Sequence, residues 1–208
     1  MVFSPPIVPE AADQRIVLHR IPWAHYEAQV AVRGEARVPR VFYLEGAMEL
    51  MSPSEDHEKL RFYLGRLLEV YALENGIDFS GYGSWTLKSG PNEAGAEPDE
   101  CYIVGPDPKK SVPDLAIEVV WTSGGLDKLE IYRRLGVREV WFWIDGVIEV
   151  HVLGAQGYAH AQRSALFPGL DLDLLVTFLD QPIASRAIRA YRDALRKPAT
   201  KPKPRRRR

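Results

Sequence analysis

Short apolar runs separated by turn-forming residues predict most of the strands. Residues 41–44 and 48–51 are two such runs on either side of Glu45-Gly46, a pattern typical of a β-hairpin. A second hairpin is predicted around Asp145-Gly146, a dipeptide typical of a tight connection between two strands. Further strands are predicted over residues 77–87, 100–104, 115–121, 140–144 and 147–152.

Apolar residues at helical spacing predict two longer helices. Residues 60–71 have apolar side chains at every third or fourth position, which is typical of a helix with one buried face. Residues 52–55 have the S-x-x-E spacing of a capping box, which predicts that Ser52 caps the start of this helix. Asn75-Gly76 predicts its end. A second helix is predicted over residues 126–135. This order of elements predicts an α/β domain with a mixed sheet and helices packed against it.

Composition divides the 208 residues into an arm, one domain and a basic extension. Residues 1–40, which contain three prolines within the first ten positions, predict a loose N-terminal arm with a short helix near residues 23–32. The domain is predicted over residues 41–184. Residues 185–208 predict a basic helix followed by a disordered tail, because prolines and consecutive basic residues cannot build a core.

Charge is distributed unevenly along the chain. The net charge is −1, yet residues 185–208 contain eleven basic residues and one acidic residue, a net charge of +10. The preceding 184 residues therefore have a net charge of −11. Two interpretations of the extension stay open: it binds a polyanion such as nucleic acid, or it is a solubilising end.

Composition also excludes several classes of protein. With 46% hydrophobic and 26% charged residues, the chain can build a core and is neither mainly disordered nor fibrous. The single Cys101 cannot form an internal disulfide, and the five histidines lack the paired spacing of a structural zinc site. Because no membrane span or signal peptide is predicted, we expect a cytoplasmic protein without a membrane partner.

One acidic residue, Glu118, interrupts an otherwise apolar predicted strand. A carboxylate buried there would need a cation or several hydrogen-bond donors as partners. In an edge strand, Glu118 would instead face water and need none. Asp114 lies on the same face of the strand but four residues away, about 13 Å at ~3.3 Å per residue, so the two cannot bind one ion.

Two residues outside this strand are candidate partners of Glu118. Asp99 follows Pro98 at the start of another predicted strand, and two carboxylates with water and phosphate oxygens suit Mg²⁺. Lys128, ten residues after Glu118, could reach the carboxylates from the second helix and stabilise charge on a phosphodiester. The alternatives are a turn-forming role for Asp99 and a solvated surface ion pair for Lys128.

In their order and spacing, these motifs resemble the Uma-type family of restriction endonucleases, within the PD-(D/E)XK nuclease superfamily. The resemblance extends from about Phe42 to Leu179. It rests on eight segments: 43–46, 49–54, 57–58, 81–84, 97–101, 113–119, 128–132 and 136–141. It implies a restriction-endonuclease-like α/β core, with a mixed central sheet flanked by helices.

The resemblance implies an endonuclease that hydrolyses DNA phosphodiester bonds with Mg²⁺, or with Mn²⁺ as an alternative. The acidic positions of the superfamily motif fall on Asp99 and Glu118. The resemblance implies that these two residues are the metal ligands. Val120 stands where the superfamily places a lysine, and the resemblance implies that Lys128 replaces it as a catalytic residue. The alternative function is a catalytically inactive nucleic-acid-binding or assembly protein on the same scaffold, which Val120 favours.

Three further residues match recurrent positions of the family. Glu49 and Asp114 are implied as outer metal ligands or orienting groups, although each could also cap a turn or a strand. His57 is implied as an auxiliary proton carrier or phosphate contact, with a simple helix-end role as its alternative. A homodimer is expected, since cleavage of both strands of a duplex by subunits with one site each favours two-fold symmetry.

Overall fold

The computed structural model describes residues 12–120 and 125–196 of the chain. In chain order the elements are β1 (Gln14–His19), α1 (Trp23–Arg33), β2 (Arg40–Leu44), β3 (Ala47–Ser52), α2 (Glu55–Glu74), β4 (Phe79–Gly81), β5 (Leu87–Ser89), β6 (Ala94–Ala96), β7 (Glu100–Val104), β8 (Leu115–Val120), α3 (Lys128–Leu135), β9 (Glu139–Ile144), β10 (Val147–Gly154), β11 (Gly157–Ala161), α4 (Leu172–Val176) and α5 (Ala184–Arg196). Among the helices of these described ranges, none is long and apolar enough to cross a membrane.

The strands form two sheets. The first sheet has the order β1-β3-β2-β6-β5 and is antiparallel throughout. The second has the order β11-β10-β9-β8-β7-β4 and is mixed, because β8 and β9 are parallel while the other neighbours are antiparallel. A parallel pair needs a crossover connection, and α3 lies in the one between β8 and β9.

Strand β8 separates two parts of the core. Its residues 115, 117 and 119 pack on the side of α2 and α5. Because side chains alternate along a strand, Ala116 and Val120 point the other way and pack with α3 and the first sheet. Glu118 belongs to this second face. It therefore lies in the interior, between the two sheets, with α3 beside it.

The predicted α/β class, with a mixed sheet flanked by helices, is confirmed, and so are both predicted hairpins. The first sheet was not predicted as a separate layer, because β5 and β6 have only three residues each. The strand predicted over residues 77–87 is wrong in extent: only Phe79–Gly81 pairs with β7. Gly83, with φ of 58°, turns the chain away directly afterwards.

The helix starts differ from the predicted ones by about two residues. Ser52 ends β3, and Ser54 instead caps α2 by accepting a hydrogen bond from the His57 amide at 3.3 Å. Asp127 caps α3 in the same way, accepting from the Glu130 amide at 3.0 Å. The predicted end of α2 is confirmed, since Asn75 is its C-cap.

Part of the predicted loose arm is ordered. All six residues of β1 pair with β3, and Tyr26 of α1 is buried against Tyr43, with ring centroids 5.1 Å apart. Residues 14–19 escaped prediction because their side chains are mostly exposed and give no apolar alternation. The basic helix predicted after residue 184 corresponds to α5. The predicted disordered tail, residues 197–208, lies outside the described residues.

Candidate active site

Asp99 and Glu118 come together through the pairing of β7 with β8. Glu100 lies opposite Ile117 in this antiparallel pair, so the next step along the two strands brings Asp99 opposite Glu118. The Asp99 carboxylate lies against β8 and accepts a hydrogen bond from the Val119 amide at 2.6 Å. Both acids are fully buried. Since residues directly opposite in a sheet share a face, the two carboxylates converge.

A third buried acid, Glu97, fixes the segment that leads into Asp99. Its Oε2 accepts from the Val41 amide of β2 at 2.8 Å, and its Oε1 accepts from the Thr86 hydroxyl at 2.6 Å. The Arg33 guanidinium of α1 pairs with the same carboxylate. The turn between β6 and β7 is thereby tied to β2, to α1 and to the loop before β5, which restricts the position of Asp99.

Glu118 has a charged and a neutral partner on α3. Lys128 Nζ lies 2.5 Å from Glu118 Oε2, and the Tyr132 hydroxyl donates to Oε1. Residues four apart on a helix lie on the same face, which is why both reach one carboxylate. Burial and the neighbouring Glu118 raise the pKa of Tyr132 well above its ordinary value, so its hydroxyl stays protonated and can donate.

The environment of Glu118 decides between the alternatives that the sequence left open. Strand β8 lies inside the second sheet, between β7 and β9, and not at its edge. The Lys128 ammonium is nearly buried and also lies 4.2 Å from the centroid of the Phe42 ring, a cation–π contact. Lys128 is therefore not a solvated surface lysine.

Asp99 is held by two further side chains, His57 of α2 and Arg40 of β2. His57 Nε2 lies 2.8 Å from Asp99 Oδ1, and the Arg40 guanidinium pairs with the same oxygen. His57 Nδ1 lies 2.9 Å from Asp13 Oδ2, so its ring bridges two carboxylates. Burial alone would raise the pKa of Asp13, but hydrogen bonds from His57 and Ser54 outweigh it and lower that pKa.

The second terminal nitrogen of the buried Arg40 guanidinium contacts a partly exposed acid, Glu58. Its Nη2 donates to Glu58 Oε1 at 2.7 Å, and Glu58 also accepts from Arg61 Nε at 2.7 Å. Burial lowers the pKa of Arg40 below its ordinary value. Arg40 thus joins the buried Asp99 to a partly exposed pair of charges at the start of α2.

The other two predicted auxiliary residues do not touch the pair of carboxylates. Glu49 Oε1 pairs with Arg15 Nε at 2.9 Å, and its Oε2 accepts from the Leu126 amide at 2.9 Å, next to the start of α3. Asp114 lies at the opposite end of β8, where it accepts from the Val104 amide at 2.9 Å and from Lys110 Nζ at 2.6 Å. Glu49 therefore supports the helix of the site, whereas Asp114 lies apart from it.

The two carboxylates fit a magnesium ion by the chemistry of their donors. Asp99 Oδ2 and both oxygens of Glu118 each accept one hydrogen bond, which leaves a lone pair on each for a cation. Among residues 12–120 and 125–196, no three or more His, Cys, Asp or Glu side chains form a metal-binding group. Two carboxylates are nonetheless sufficient, because Mg²⁺ commonly completes its shell with water and substrate phosphate.

Three residues of this site were missed by sequence reasoning. Tyr132 had a usable signal, because it lies four residues after Lys128 and so on the same helix face. For Arg40 the sequence contains no such signal, apart from its position next to the apolar residues 41–44. Asp13 could not have been found, since it lies in the segment that was predicted to be a loose arm.

Comparison with known proteins assigns the family. The model of the Uma2 family, described as "Putative restriction endonuclease", matches residues 23–180. The chain belongs to the Uma2 family. The match includes Arg40, His57, Asp99, Glu118 and Lys128 and confirms the resemblance found in the sequence.

Among solved structures, the chain is similar to a "putative nuclease belonging to DUF820" from Anabaena variabilis. The identity is 12% and the TM-score 0.45, over 74% of this chain and 92% of the other. None of the curated proteins compared with this chain matches it.

Proposed function

We propose that this Uma2 protein is a magnesium-dependent endonuclease that hydrolyses DNA phosphodiester bonds, with Mn²⁺ as an alternative ion. The main support is the convergence of Asp99 and Glu118 from adjacent strands with the Lys128 ammonium, 2.5 Å from Glu118. Membership of a family described as "Putative restriction endonuclease" supports the reaction class. We further propose that it acts in the cytoplasm as a homodimer, because a DNA duplex offers two-fold related strands.

In this mechanism Asp99 and Glu118 hold the metal ion, which when bound polarises the phosphodiester and helps to activate water. Lys128 orients the water and stabilises negative charge on the phosphate. Hydrolysis adds the hydroxyl of water to phosphorus and its proton to the departing ester oxygen. Tyr132 fixes the Glu118 carboxylate, and His57 fixes that of Asp99. Because Val120 has no ammonium, the lysine of α3 has to supply it.

A second candidate function is a catalytically inactive protein that binds nucleic acid or acts in an assembly on this scaffold. Val120, in place of the superfamily's lysine, favours it. The contacts of Asp99 Oδ1 favour it too, since Arg40 and His57 already use both lone pairs of that oxygen.

Cleavage of supercoiled and linear DNA across a titration of Mg²⁺ and Mn²⁺ separates the two functions. For the wild type we expect metal-dependent nicks or breaks. Asp99→Asn should lower the rate by at least about a thousandfold, since a metal ion supplies several kcal/mol of transition-state stabilisation. The matched control is Asp145→Asn, the same change at an exposed hairpin position with φ of 48°, which asparagine tolerates.

Two results would count against the endonuclease. One is a wild type that cuts no DNA at any metal concentration, and the other is cleavage that survives Asp99→Asn unchanged. DNA binding without cleavage, with an affinity that falls steeply with salt, would favour the inactive binding protein.

A further inference from the structure

Arg40 is a buried cation at the position where the metal-binding carboxylates need one. Its side chain is 3% exposed, and its guanidinium pairs with Asp99 Oδ1. It also interacts electrostatically with Glu118. Two carboxylates buried side by side without cations would be strongly destabilising. In the metal-free protein, Arg40 and Lys128 therefore supply the positive charge that the acids require.

A divalent cation bound to the same carboxylates would face the Arg40 guanidinium. Like charges repel strongly in a buried site, where neither water nor salt screens them. Arg40 Nη1 also lies only 3.2 Å from His57 Nε2, so the guanidinium and the imidazole crowd one oxygen of Asp99. Arg40 and the metal ion are therefore expected to compete for Asp99.

The structure also contains a second partner for Arg40. Its Nη2 is 2.7 Å from Glu58 Oε1, and the Glu58 side chain is 38% exposed, on the solvent side of the buried pair. A guanidinium released by Asp99 can keep this second ion pair. Arg40 thus has one partner in the site and one outside it.

We propose that Arg40 occupies Asp99 in the metal-free protein and moves to Glu58 alone when a divalent cation binds. The inference rests on the proposed function, because it assumes that Asp99 and Glu118 hold the metal. It makes Arg40 and Glu58 positioning residues that set the affinity for the ion. Their effects have opposite signs: Arg40 weakens metal binding, whereas Glu58 strengthens it by drawing Arg40 away.

The test is the dissociation constant of Mn²⁺, measured by calorimetry or electron paramagnetic resonance without nucleic acid. Arg40→Gln should tighten binding at least about tenfold, because a like charge leaves a buried site. Glu58→Gln should weaken binding several-fold, since Asp99 then has no competitor for Arg40. Arg40→Lys keeps the charge and should therefore tighten binding less than Arg40→Gln.

The matched control is Arg138→Gln, which removes an arginine paired with Asp114 at the far end of β8, where its side chain is 65% exposed. Its Mn²⁺ affinity should equal that of the wild type. Circular dichroism checks the fold of each variant. If Arg40→Gln fails to fold, Glu58→Gln decides the matter, because its site is partly exposed.

The inference is overturned if Arg40→Gln leaves Mn²⁺ affinity unchanged or weakens it, or if Glu58→Gln leaves it unchanged or tightens it. Asp99→Asn separates this failure from that of the proposed function. Wild-type binding that Asp99→Asn abolishes but Arg40→Gln does not alter would overturn only the role of Arg40. A wild type that binds no Mn²⁺ at millimolar concentration would overturn the metal site and this inference together.

Discussion

Two buried glutamates on neighbouring strands of the second sheet, Glu118 on β8 and Glu139 on β9, have different partners. The Oε1 of Glu139 accepts from the Trp141 indole at 2.6 Å. Its Oε2 accepts from the amides of Ala165 and Leu166 at 2.8 and 3.2 Å. All three donors are neutral, and two of them belong to the main chain.

Among the described residues, the hydrogen bonds to the Glu118 carboxylate come from two side chains of α3, those of Lys128 and Tyr132. Main-chain donors are fixed by the fold, so the contacts of Glu139 hold a loop to the sheet. Side chains can leave and be replaced by another cation. Burial alone therefore does not identify a candidate catalytic acid, whereas a buried acid with exchangeable, charged partners is a better candidate.

Replacement of each glutamate by glutamine tests this difference most strongly. Glu118→Gln should lower metal-dependent cleavage at least about a thousandfold, because a neutral amide is a poor ligand for Mg²⁺. Glu139→Gln should leave cleavage within about threefold but lower the free energy of unfolding by about 1–3 kcal/mol, since its NH₂ group must face a donor. Cleavage rates and urea denaturation of both variants are the measurements. Equal loss of cleavage in the two would show that the comparison is wrong.

An element of the fold could be predicted when the interactions that determine it lie close together in the sequence. The hairpins at Gly46 and Gly146 and the end of α2 were predictable, because turn chemistry acts over a few residues. The pairing of β1 with β3 was not predictable, because residues 14–19 are stabilised by partners 28 to 38 residues away in the chain.

The candidate site divides in the same way. Glu118 was recognisable as an acid in an apolar strand, and its need for partners follows from its burial. The family pattern then indicated Asp99 and Lys128. Arg40 was not predictable, since it is buried by contacts with His57 and Glu58, which lie about 17 residues away on α2. The burial of Glu139 was not predictable either. It is the first residue of β9, a position at which an acid is usually exposed.

Removal of the Tyr132 hydroxyl tests what a single hydrogen bond to Glu118 contributes to cleavage. Tyr132→Phe removes one of the two hydrogen bonds that described residues donate to the Glu118 carboxylate, and we expect cleavage to fall about tenfold, as is typical for groups that orient metal ligands. The matched control is Tyr158→Phe, because that hydroxyl donates to the Val137 carbonyl at 2.5 Å and not to Glu118. It should lower stability without lowering the rate. A larger loss of cleavage in Tyr158→Phe would argue against a role for Tyr132 at Glu118.

Asp13 has one main-chain partner and one side-chain partner, and its replacement should change stability only slightly. One oxygen accepts from the Ser54 amide at 2.9 Å, and the other lies 2.9 Å from His57 Nδ1. Burial opposes ionisation, yet these hydrogen bonds lower the pKa of Asp13 below its ordinary value of 3.8. As the pH falls, Asp13 therefore takes up a proton in the unfolded chain before it does so in the folded protein. The contribution of its charged form to the free energy of unfolding is present above about pH 4 and is lost below it.

Measured between pH 2 and 6 without metal, the free energy of unfolding should fall less steeply with decreasing pH in Asp13→Asn than in the wild type. Near pH 6 the variant should be less stable by on the order of 1 kcal/mol, the net value of a hydrogen bond. The difference between the two curves isolates Asp13, because other acids with lowered pKa, such as Glu58 and Asp114, contribute to both. Parallel curves over this range would mean that the contact with His57 does not favour the charged form of Asp13.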